Sequence, residues 1–269
     1  MKINNPKSRF DLKIASSDLV LEIGGGHNPH PRADYVVDKY VHDNTHRSGD
    51  LKVLGEQFFV EADGESLPFK DKVFDYVICC HVLEHVPNPE KFLKEMMRVA
   101  KRGYIEVPSL IGEFLAPKSS HTWVSLEIEN KLTLVKKSDL GMEKPTHDFG
   151  DLFLYHLTQN SIPFKMLKRN YPDLFSVRIE WDESFGFSIN PTDEATLSYF
   201  TKPWTKEQIE QMFPKYNRLD ETIESLKILT HLCWKYALRK LNEVQTAFMP
   251  SLDFFPNKSQ KHQTNPFQV

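Results

Sequence analysis

Four short apolar runs near the start of the chain each end at glycine or at an ionisable residue. They cover residues 18–23, 34–38, 58–62 and 74–80, and the residues at their ends are three glycines, Asp38, Asp63-Gly64 and His81. A short apolar run that stops at such residues is typical of a buried strand. Ligands of open parallel sheets bind beyond the carboxyl ends of the strands, so these end residues are expected to surround one ligand.

The segment after the fourth run predicts a helix and then a fifth strand. Asn88 can cap this helix, Pro89 suits its first position, apolar residues recur at helical spacing, and Gly103 closes it. Residues 104–107 again read as a strand, which stops at a proline. Strands that alternate with helical or loop crossovers predict an α/β fold with a mainly parallel, Rossmann-like sheet and helices on both faces.

Beyond residue 109 this alternation stops, and we expect several further units. The predicted order is a polar lead-in over 1–17, the ligand-binding core over 18–109, an insert or lid over 110–173, a terminal sheet hairpin over 174–192, a helical region over 193–250 and a tail over 251–269. The insert contains a predicted hairpin around Glu129-Asn130, and the helical region has an apolar face.

Composition argues against several classes of protein. The 269 residues include 34 Lys+Arg against 37 Asp+Glu, and this net charge of −3 argues against a nucleic-acid surface. Three cysteines suit a reducing compartment, so we expect a cytoplasmic location. No apolar stretch reaches the roughly 20 residues that a membrane span needs, and the N-terminus lacks the apolar run of a signal peptide.

The strand ends resemble those of class I S-adenosylmethionine-dependent methyltransferases, in particular the methyltransferase type 11 group. The matching segments are EIGGG at 22–26, Asp38, ADGESLPF at 62–69, FDYVICCHVLEHV at 74–86 and YIEVPS at 104–109. The order of these segments, rather than any one motif, makes the resemblance specific. It implies a seven-stranded sheet, S-adenosylmethionine as cofactor and S-adenosylhomocysteine as product.

The resemblance also implies a set of cofactor-binding residues. Glu22, Gly24 and Gly26 would contact the amino-acid part, Asp38 the ribose, Asp63 and Gly64 the adenine, and Cys80 and His81 the methionine part, with Gly25, Lys39 and Glu65 in the same set. The family's helix after the glycine loop is not expected here, because two prolines between residues 27 and 33 oppose it.

Two histidines are candidate catalytic residues. His85 follows the fourth strand, and His121 follows the fifth strand and its loop, close to Trp123. Imidazoles titrate near neutral pH, so either side chain could take the proton of an acceptor hydroxyl. The alternatives are local packing for His85 and a surface loop position for His121.

No metal site is expected from the sequence, although one motif offers an alternative. His81, Glu84 and His85 match the H-x-x-E-H pattern of zinc hydrolases, which needs both histidines on one helix. The motif directly follows a buried strand and is soon interrupted by Pro87, which disfavours that helix. A nicotinamide-binding fold is also disfavoured, because no third glycine opens a helix after the first strand.

The acceptor is constrained mainly by motifs that the sequence lacks. The (Asn/Asp)-Pro-Pro-(Tyr/Phe) motif of enzymes that methylate amines of DNA bases does not follow the fourth strand, and the Pro-Cys nucleophile of cytosine C5 enzymes is also missing. We therefore expect a small-molecule or saccharide acceptor, methylated on oxygen by in-line displacement. The alternative is a non-catalytic scaffold that binds the cofactor, and the C-terminal helices could support a homodimer.

Overall fold

The computed structural model describes residues 1–44, 49–145, 147–213 and 217–248. Its strands are β1 (Lys2–Asn4), β2 (Val20–Ile23), β3 (Tyr35–Asp38), β4 (Phe58–Glu61), β5 (Phe74–Cys80), β6 (Ala100–Pro108), β7 (Trp123–Ile128), β8 (Lys131–Lys136), β9 (Ser176–Asp182) and β10 (Phe187–Ile189). Its α-helices are α1 (Pro89–Val99), α2 (Leu110–Leu115), α3 (Leu157–Asn160), α4 (Ile162–Asn170), α5 (Glu194–Thr201), α6 (Lys206–Met212) and α7 (Arg218–Phe248).

The main sheet has seven strands in the order β1-β9-β6-β5-β2-β3-β4. The strands from β6 to β4 run parallel, whereas β9 is antiparallel to β6 and β1 is antiparallel to β9. This confirms the predicted α/β fold with a mainly parallel, seven-stranded sheet. The predicted lead-in over 1–17 needs one correction, because Lys2–Asn4 forms an edge strand beside β9.

Successive side chains of a strand point to opposite faces of the sheet, so the central strands present apolar residues on both faces. Both faces are covered by other parts of the chain. One face packs against α1 through Phe92, Leu93 and Met96. The opposite face presents Val20, Tyr76, Ile78 and Tyr104, and the N-terminal residues Leu12 and Ile14 pack against it. Continuous burial of this kind explains why the parallel strands read as unbroken apolar runs.

Helix α1 begins as predicted and ends earlier. Asn88 caps it by accepting a hydrogen bond from the backbone N–H of Lys91. The prediction that Gly103 closes the helix is wrong, because Ala100 already has an extended backbone and begins β6. A Cβ on Gly103 would lie 2.6 Å from Val77 and 2.7 Å from Trp181, so close packing within the sheet explains this glycine.

A second, three-stranded sheet has the order β10-β8-β7. The predicted β7–β8 hairpin is confirmed, with Glu129 and Asn130 both at positive φ in its turn. The predicted terminal hairpin over 174–192 is wrong, because β9 pairs with β6 in the main sheet and β10 runs parallel to β8. A local turn signal predicts that the chain reverses, whereas long-range pairing decides which sheet each strand joins.

The predicted C-terminal helical region contains α5, α6 and α7. On α7, Leu229 and Leu232 are half-buried, whereas Leu226 and Tyr236 of the predicted apolar face are exposed. The predicted tail over 251–269 lies outside the described residues. Within the described ranges, no helix combines the length and apolar character needed to cross a membrane.

Candidate active site

A pocket opens beyond the carboxyl ends of β2, β3 and β5. Strand β2 lies between β3 and β5, so the order of the strands reverses at this point, where open α/β sheets bind their ligands. The predicted site residues that line the pocket are Gly24, Gly26, Asp38, Lys39, Asp63, Gly64, His81 and His85. The structure therefore gathers residues from separate strand ends around one hollow.

The glycine loop after β2 is shaped by close contact with the segment after β5. Gly24 has a φ of +72°, and a Cβ there would lie 2.2 Å from the side chain of Val82. Gly26 also has a positive φ, of 53°. The loop leads into irregular backbone instead of a helix, as the prolines predict. A side chain at Gly24 would therefore collide with Val82 and force the glycine loop and the turn after β5 apart.

Asp38 and Asp63 lie at neighbouring strand ends and face the same pocket. Asp38 accepts a hydrogen bond of 3.0 Å from the backbone N–H of Tyr40. Asp63 accepts hydrogen bonds from Lys39 Nζ at 2.7 Å and from the backbone N–H of Glu65 at 2.9 Å. Burial acts to raise the pKa of Asp63, but these hydrogen bonds outweigh it and lower the pKa. Both acids suit hydroxyl or amino donors of a nucleoside.

The predicted cofactor contacts that lie outside the pocket lining are Glu22, Gly25, Glu65 and Cys80. A Cβ on Gly25 would lie 2.7 Å from Val36, so this glycine packs against β3. Glu65 accepts a hydrogen bond from the backbone N–H of Asn88 and holds the start of α1. Cys80 packs with the opposite face of the sheet, and burial raises the pKa of its thiol.

Glu22 is buried, and its carboxylate binds residues around the glycine loop. It accepts hydrogen bonds from the backbone N–H of His30 and from Arg9 Nη1. Arg9 also donates to the backbone oxygen of Asn28 at 2.6 Å. Burial raises the pKa of Glu22 to about 7, although both donors oppose the rise. Glu22 therefore holds the shape of the loop, with help from Arg9, which no local pattern in the sequence marks.

Of the two predicted catalytic residues, His85 lines the pocket, and His121 packs against it from outside the lining. Their rings pack edge to face with centroids 4.8 Å apart. Strand β7 begins just after His121, and Trp123 Nε1 donates to the backbone oxygen of Val86 at 2.8 Å. This hydrogen bond joins the start of β7 to the turn after β5, and it places His121 behind His85.

Three buried charged side chains, Glu84, Glu113 and Lys137, surround the histidine pair. Glu84 Oε1 lies 3.9 Å from His121 Nε2 and 4.0 Å from His85 Nε2. Glu113 Oε2 accepts a 2.6 Å hydrogen bond from His121 Nδ1, and its Oε1 accepts one of 2.6 Å from Lys137 Nζ. Burial acts to raise the pKa of Glu113, but its hydrogen bonds with His121 and Lys137 lower it.

Sequence reasoning missed Glu113 and Lys137. They lie in α2 and in the turn after β8, far in sequence from the histidine at position 85. Glu113 sits in the first turn of its helix, where acidic residues are common, so its position alone signals nothing about a site. The fold of the insert brings these charges to His121, and packing of the insert against the turn after β5 brings His121 to His85.

The helix required by the zinc-hydrolase alternative does not form. His81 has a left-handed backbone with a φ of 56°, and Leu83–His85 is a single 3-10 turn. The His81 ring is half exposed, with Nδ1 3.5 Å from Glu84 Oε1 and Nε2 3.6 Å from Glu106 Oε1. His85 consequently pairs with His121 from the insert instead of with His81.

Comparison with known proteins gives a family match over part of the chain. Residues 35–105 match a family model described as a methyltransferase domain. The norajmaline N-methyltransferase of Rauvolfia serpentina is 37% identical over 81 residues, which cover 30% of this chain and 27% of that protein. The demethylmenaquinone methyltransferase of Paenarthrobacter aurescens is 36% identical over 121 residues, 44% of each chain.

Among solved structures, a SAM-dependent methyltransferase from Thermotoga maritima is 23% identical and aligns with a TM-score of 0.27, covering 36% of this chain and 46% of that chain. This chain spans less than half the length of the two curated relatives. The family match runs from β3 into β6 and includes Asp38, Asp63 and the segment from His81 to His85. The strand-end pocket and this match together identify residues 35–105 as part of a methyltransferase domain of the class I, type 11 kind, and they support S-adenosylmethionine as its cofactor.

Proposed function

We propose that this protein transfers a methyl group from S-adenosylmethionine to a hydroxyl of a small molecule, such as a sugar or a glycan precursor. The observation that carries this proposal is the single pocket in which Gly24, Asp38 and Asp63 from separate strand ends meet His85. A pocket that contains both acids suited to a nucleoside, Asp38 and Asp63, and an ionisable histidine, His85, suits a reaction between two substrates.

The pocket residues fit the parts of an adenosyl group. Gly24 and Gly26 both line the pocket, and glycines there would let the amino-acid part approach the backbone closely. Asp38, at the end of the second parallel strand, suits the ribose hydroxyls. Asp63 and Gly64 suit the adenine, because an ionised carboxylate accepts a hydrogen bond from an amino group. Lys39 bridges these two ends of the pocket through its ion pair with Asp63.

The reaction depends on alignment and exclusion of water more than on activation of the donor. When bound, S-adenosylmethionine supplies a methyl group on a positively charged sulfur that leaves as a neutral thioether. The acceptor oxygen forms the new bond to carbon with a lone pair, the electrons of the carbon–sulfur bond pass to sulfur, and the hydroxyl proton passes to a base. Holding the acceptor in line is the main task of the pocket walls.

We propose His121 as the base and His85 as the residue that orients the acceptor. The Glu113 carboxylate accepts a hydrogen bond from His121 Nδ1, so the neutral ring presents a lone pair at Nε2. His85 lines the pocket directly and packs against His121. Oxygen is the proposed target because a hydroxyl must lose a proton to complete the transfer, whereas a neutral amine attacks without a base.

The curated relatives do not share one class of acceptor. One relative is named for methylation on nitrogen and the other for demethylmenaquinone, so the relatives differ in what they act on. The insert over 110–173 supplies His121, Glu113 and Lys137, and we propose that it selects a small or saccharide acceptor. A cytoplasmic location and a homodimer are also proposals, and a scaffold that binds the cofactor without transfer is the alternative.

Cofactor binding can be tested with a matched pair of acidic residues. Asp38 and Glu61 are register partners at the ends of β3 and β4, but only Asp38 is part of the pocket lining. Asp38→Ala should weaken S-adenosylmethionine binding in calorimetry by roughly 2–4 kcal/mol, because two hydrogen bonds to a charged group are lost. Glu61→Ala should bind as the unchanged protein does. Equal affinities for both variants would contradict the ribose role of Asp38.

Catalysis is tested separately by following a labelled methyl group. The protein is incubated with methyl-labelled S-adenosylmethionine and with extracts separated into small-molecule, glycan and protein fractions. Label in the small-molecule or glycan fraction, lost in His121→Ala with cofactor affinity retained, supports the proposal. Cofactor binding without label in any fraction supports the scaffold alternative.

A further inference from the structure

The Glu84 carboxylate is buried in a way that calls for a cation. Its side chain is 2% exposed, and among the described residues neither of its oxygens has a hydrogen-bond partner. The nearest ring nitrogen, His81 Nδ1, lies 3.5 Å away without the geometry of a hydrogen bond. The His81 ring is an ion-pair partner of Glu84 when it is protonated, but both carboxylate oxygens still lack a hydrogen bond, and a buried carboxylate in this state can accept a further positive ligand.

Two imidazole nitrogens converge on the same carboxylate. Glu84 Oε1, His85 Nε2 and His121 Nε2 each offer a ligand atom, and suitable atoms of the three residues all lie within 4.8 Å of one another. A tetrahedral zinc ion about 2.1 Å from its ligands holds them about 3.4 Å apart. Small rotations of the side chains would therefore close this cluster onto one ion.

Hydrogen bonds on the far side of each ring fix the direction of its lone pair. His85 Nδ1 lies 3.0 Å from the backbone oxygen of Ser120, which can only accept, so Nδ1 carries the hydrogen. His121 Nδ1 likewise donates to Glu113, which Lys137 holds in place. In both neutral rings Nε2 is then an acceptor that points toward the Glu84 carboxylate. The potential ligand atoms of Glu84, His85 and His121 are thus close enough for one metal ion to bring them together.

We propose that Glu84, His85 and His121 bind one divalent transition-metal ion of the Zn²⁺ or Mn²⁺ type. Two imidazoles and one carboxylate suit such ions better than Mg²⁺ or Ca²⁺, which prefer oxygen ligands. The hydrogen bonds from His85 to Ser120 and from His121 to Glu113 resemble the outer contacts that orient metal-binding histidines. No short motif contains this site, because His121 comes from the insert.

The ion would change how the acceptor is activated. Because His85 lines the cofactor pocket, an open coordination position on the ion can face that pocket. With the ion bound, His121 would be a ligand and no longer the base. An acceptor hydroxyl bound to the ion would become more acidic, and its proton would leave to solvent. This role rests on the proposed methyl transfer, whereas the metal site itself does not.

Calorimetric titration of the chelator-treated full chain with Zn²⁺ tests the site without any activity measurement. We expect one ion bound per chain, and binding more than about tenfold weaker in both Glu84→Gln and His121→Gln. His42→Gln removes an exposed histidine outside the cluster and should leave this binding unchanged. A cooperative urea transition for each variant shows that it is folded.

A second titration with Co²⁺ follows the visible absorption bands that report nitrogen and oxygen ligands. Bands that disappear in His121→Gln but persist in His42→Gln support the site. The proposal is overturned if the chain takes up no ion, or if Glu84→Gln and His121→Gln bind Zn²⁺ as the unchanged protein does. Methyl transfer that proceeds equally in the chelated protein overturns the activating role alone, and a chain that binds Zn²⁺ without any transfer overturns only the proposed function.

Discussion

The buried ion pair between Glu113 and Lys137 can be compared with an exposed ion pair of the same length, to measure how burial changes the energy of such a pair. Lys137 Nζ lies 2.6 Å from Glu113 Oε1, with side chains 4% and 1% exposed. Lys94 Nζ lies at the same distance, 2.6 Å, from Glu90 Oε1, but these side chains are 66% and 56% exposed. The same change, Glu→Gln, therefore removes the same charge at the same distance from a lysine in an exposed and in a buried setting, and the buried carboxylate is also bound to His121 at 2.6 Å.

We expect the two variants to differ widely in stability. Glu113→Gln leaves the buried Lys137 ammonium without its counter-charge, and removal of one partner from a buried pair costs roughly 3–5 kcal/mol. Glu90→Gln breaks an i,i+4 pair on the surface of α1, where such pairs contribute about 0.3–0.5 kcal/mol. Water solvates the exposed Lys94 in the variant, whereas it cannot reach Lys137.

Urea denaturation followed by circular dichroism measures both losses near pH 7. The hydrogen bonds of His121 and Lys137 lower the pKa of Glu113 although burial acts to raise it. Stability that comes from a lowered carboxyl pKa is present above the usual value and is lost as the pH falls through the folded-state value. The cost of Glu113→Gln should therefore shrink in strongly acidic buffer. Equal losses below about 1 kcal/mol for both variants would refute the reasoning.

Two further predictions concern the residues that shape the glycine loop. Burial raises the pKa of Glu22 from 4.5 to about 7, so the folded protein binds this proton more tightly than the unfolded chain does. The resulting stabilisation is fully present below about pH 4.5 and is lost as the pH rises through about 7. Glutamine does not titrate, so the stability difference between Glu22→Gln and the unchanged protein should shift by about 3 kcal/mol in favour of the variant between pH 4.5 and 7. A difference between their urea midpoints that does not change with pH would contradict this. Gly24→Ala and Gly141→Ala both place a side chain at positive φ, but only Gly24 also meets Val82, whereas Gly141 has open space. Gly141→Ala should lower the free energy of unfolding by about 1–2 kcal/mol, and Gly24→Ala should lower it by about 1–3 kcal/mol more. Gly24→Ala should also weaken S-adenosylmethionine binding, which calorimetry measures. Similar effects of the two substitutions would show that the contact with Val82 is relaxed at little cost.

The glycines and acids that line the pocket at the strand ends were largely predictable from the sequence. Asp38 and Asp63 each end a strand or directly follow one, and parallel strands bring such ends to one edge of a sheet. The same local logic predicted the Asn88 cap of α1. It did not indicate that Glu22 and Cys80 lie outside the pocket lining, because the face on which a strand residue lies depends on what covers each side of the sheet.

The opposite wall of the pocket was only partly predictable. His85 and His121 could each be named as candidates from their neighbours, but nothing in the sequence showed that their rings would touch. Glu113 and Lys137 carried no signal at all, because a buried ion pair between distant residues has the same sequence appearance as two exposed charges.

The amino-acid order by itself determined the parallel core and the row of glycines and carboxylates at its edge, since both follow from local apolar runs and from where each run stops. Tertiary structure alone decided that the first residues form an edge strand, that β9 and β10 join different sheets, and that Glu84 meets two histidines without a hydrogen bond. The physical reason is that strand pairing and burial of charge depend on contacts between distant segments, and periodicity within one segment does not encode such contacts.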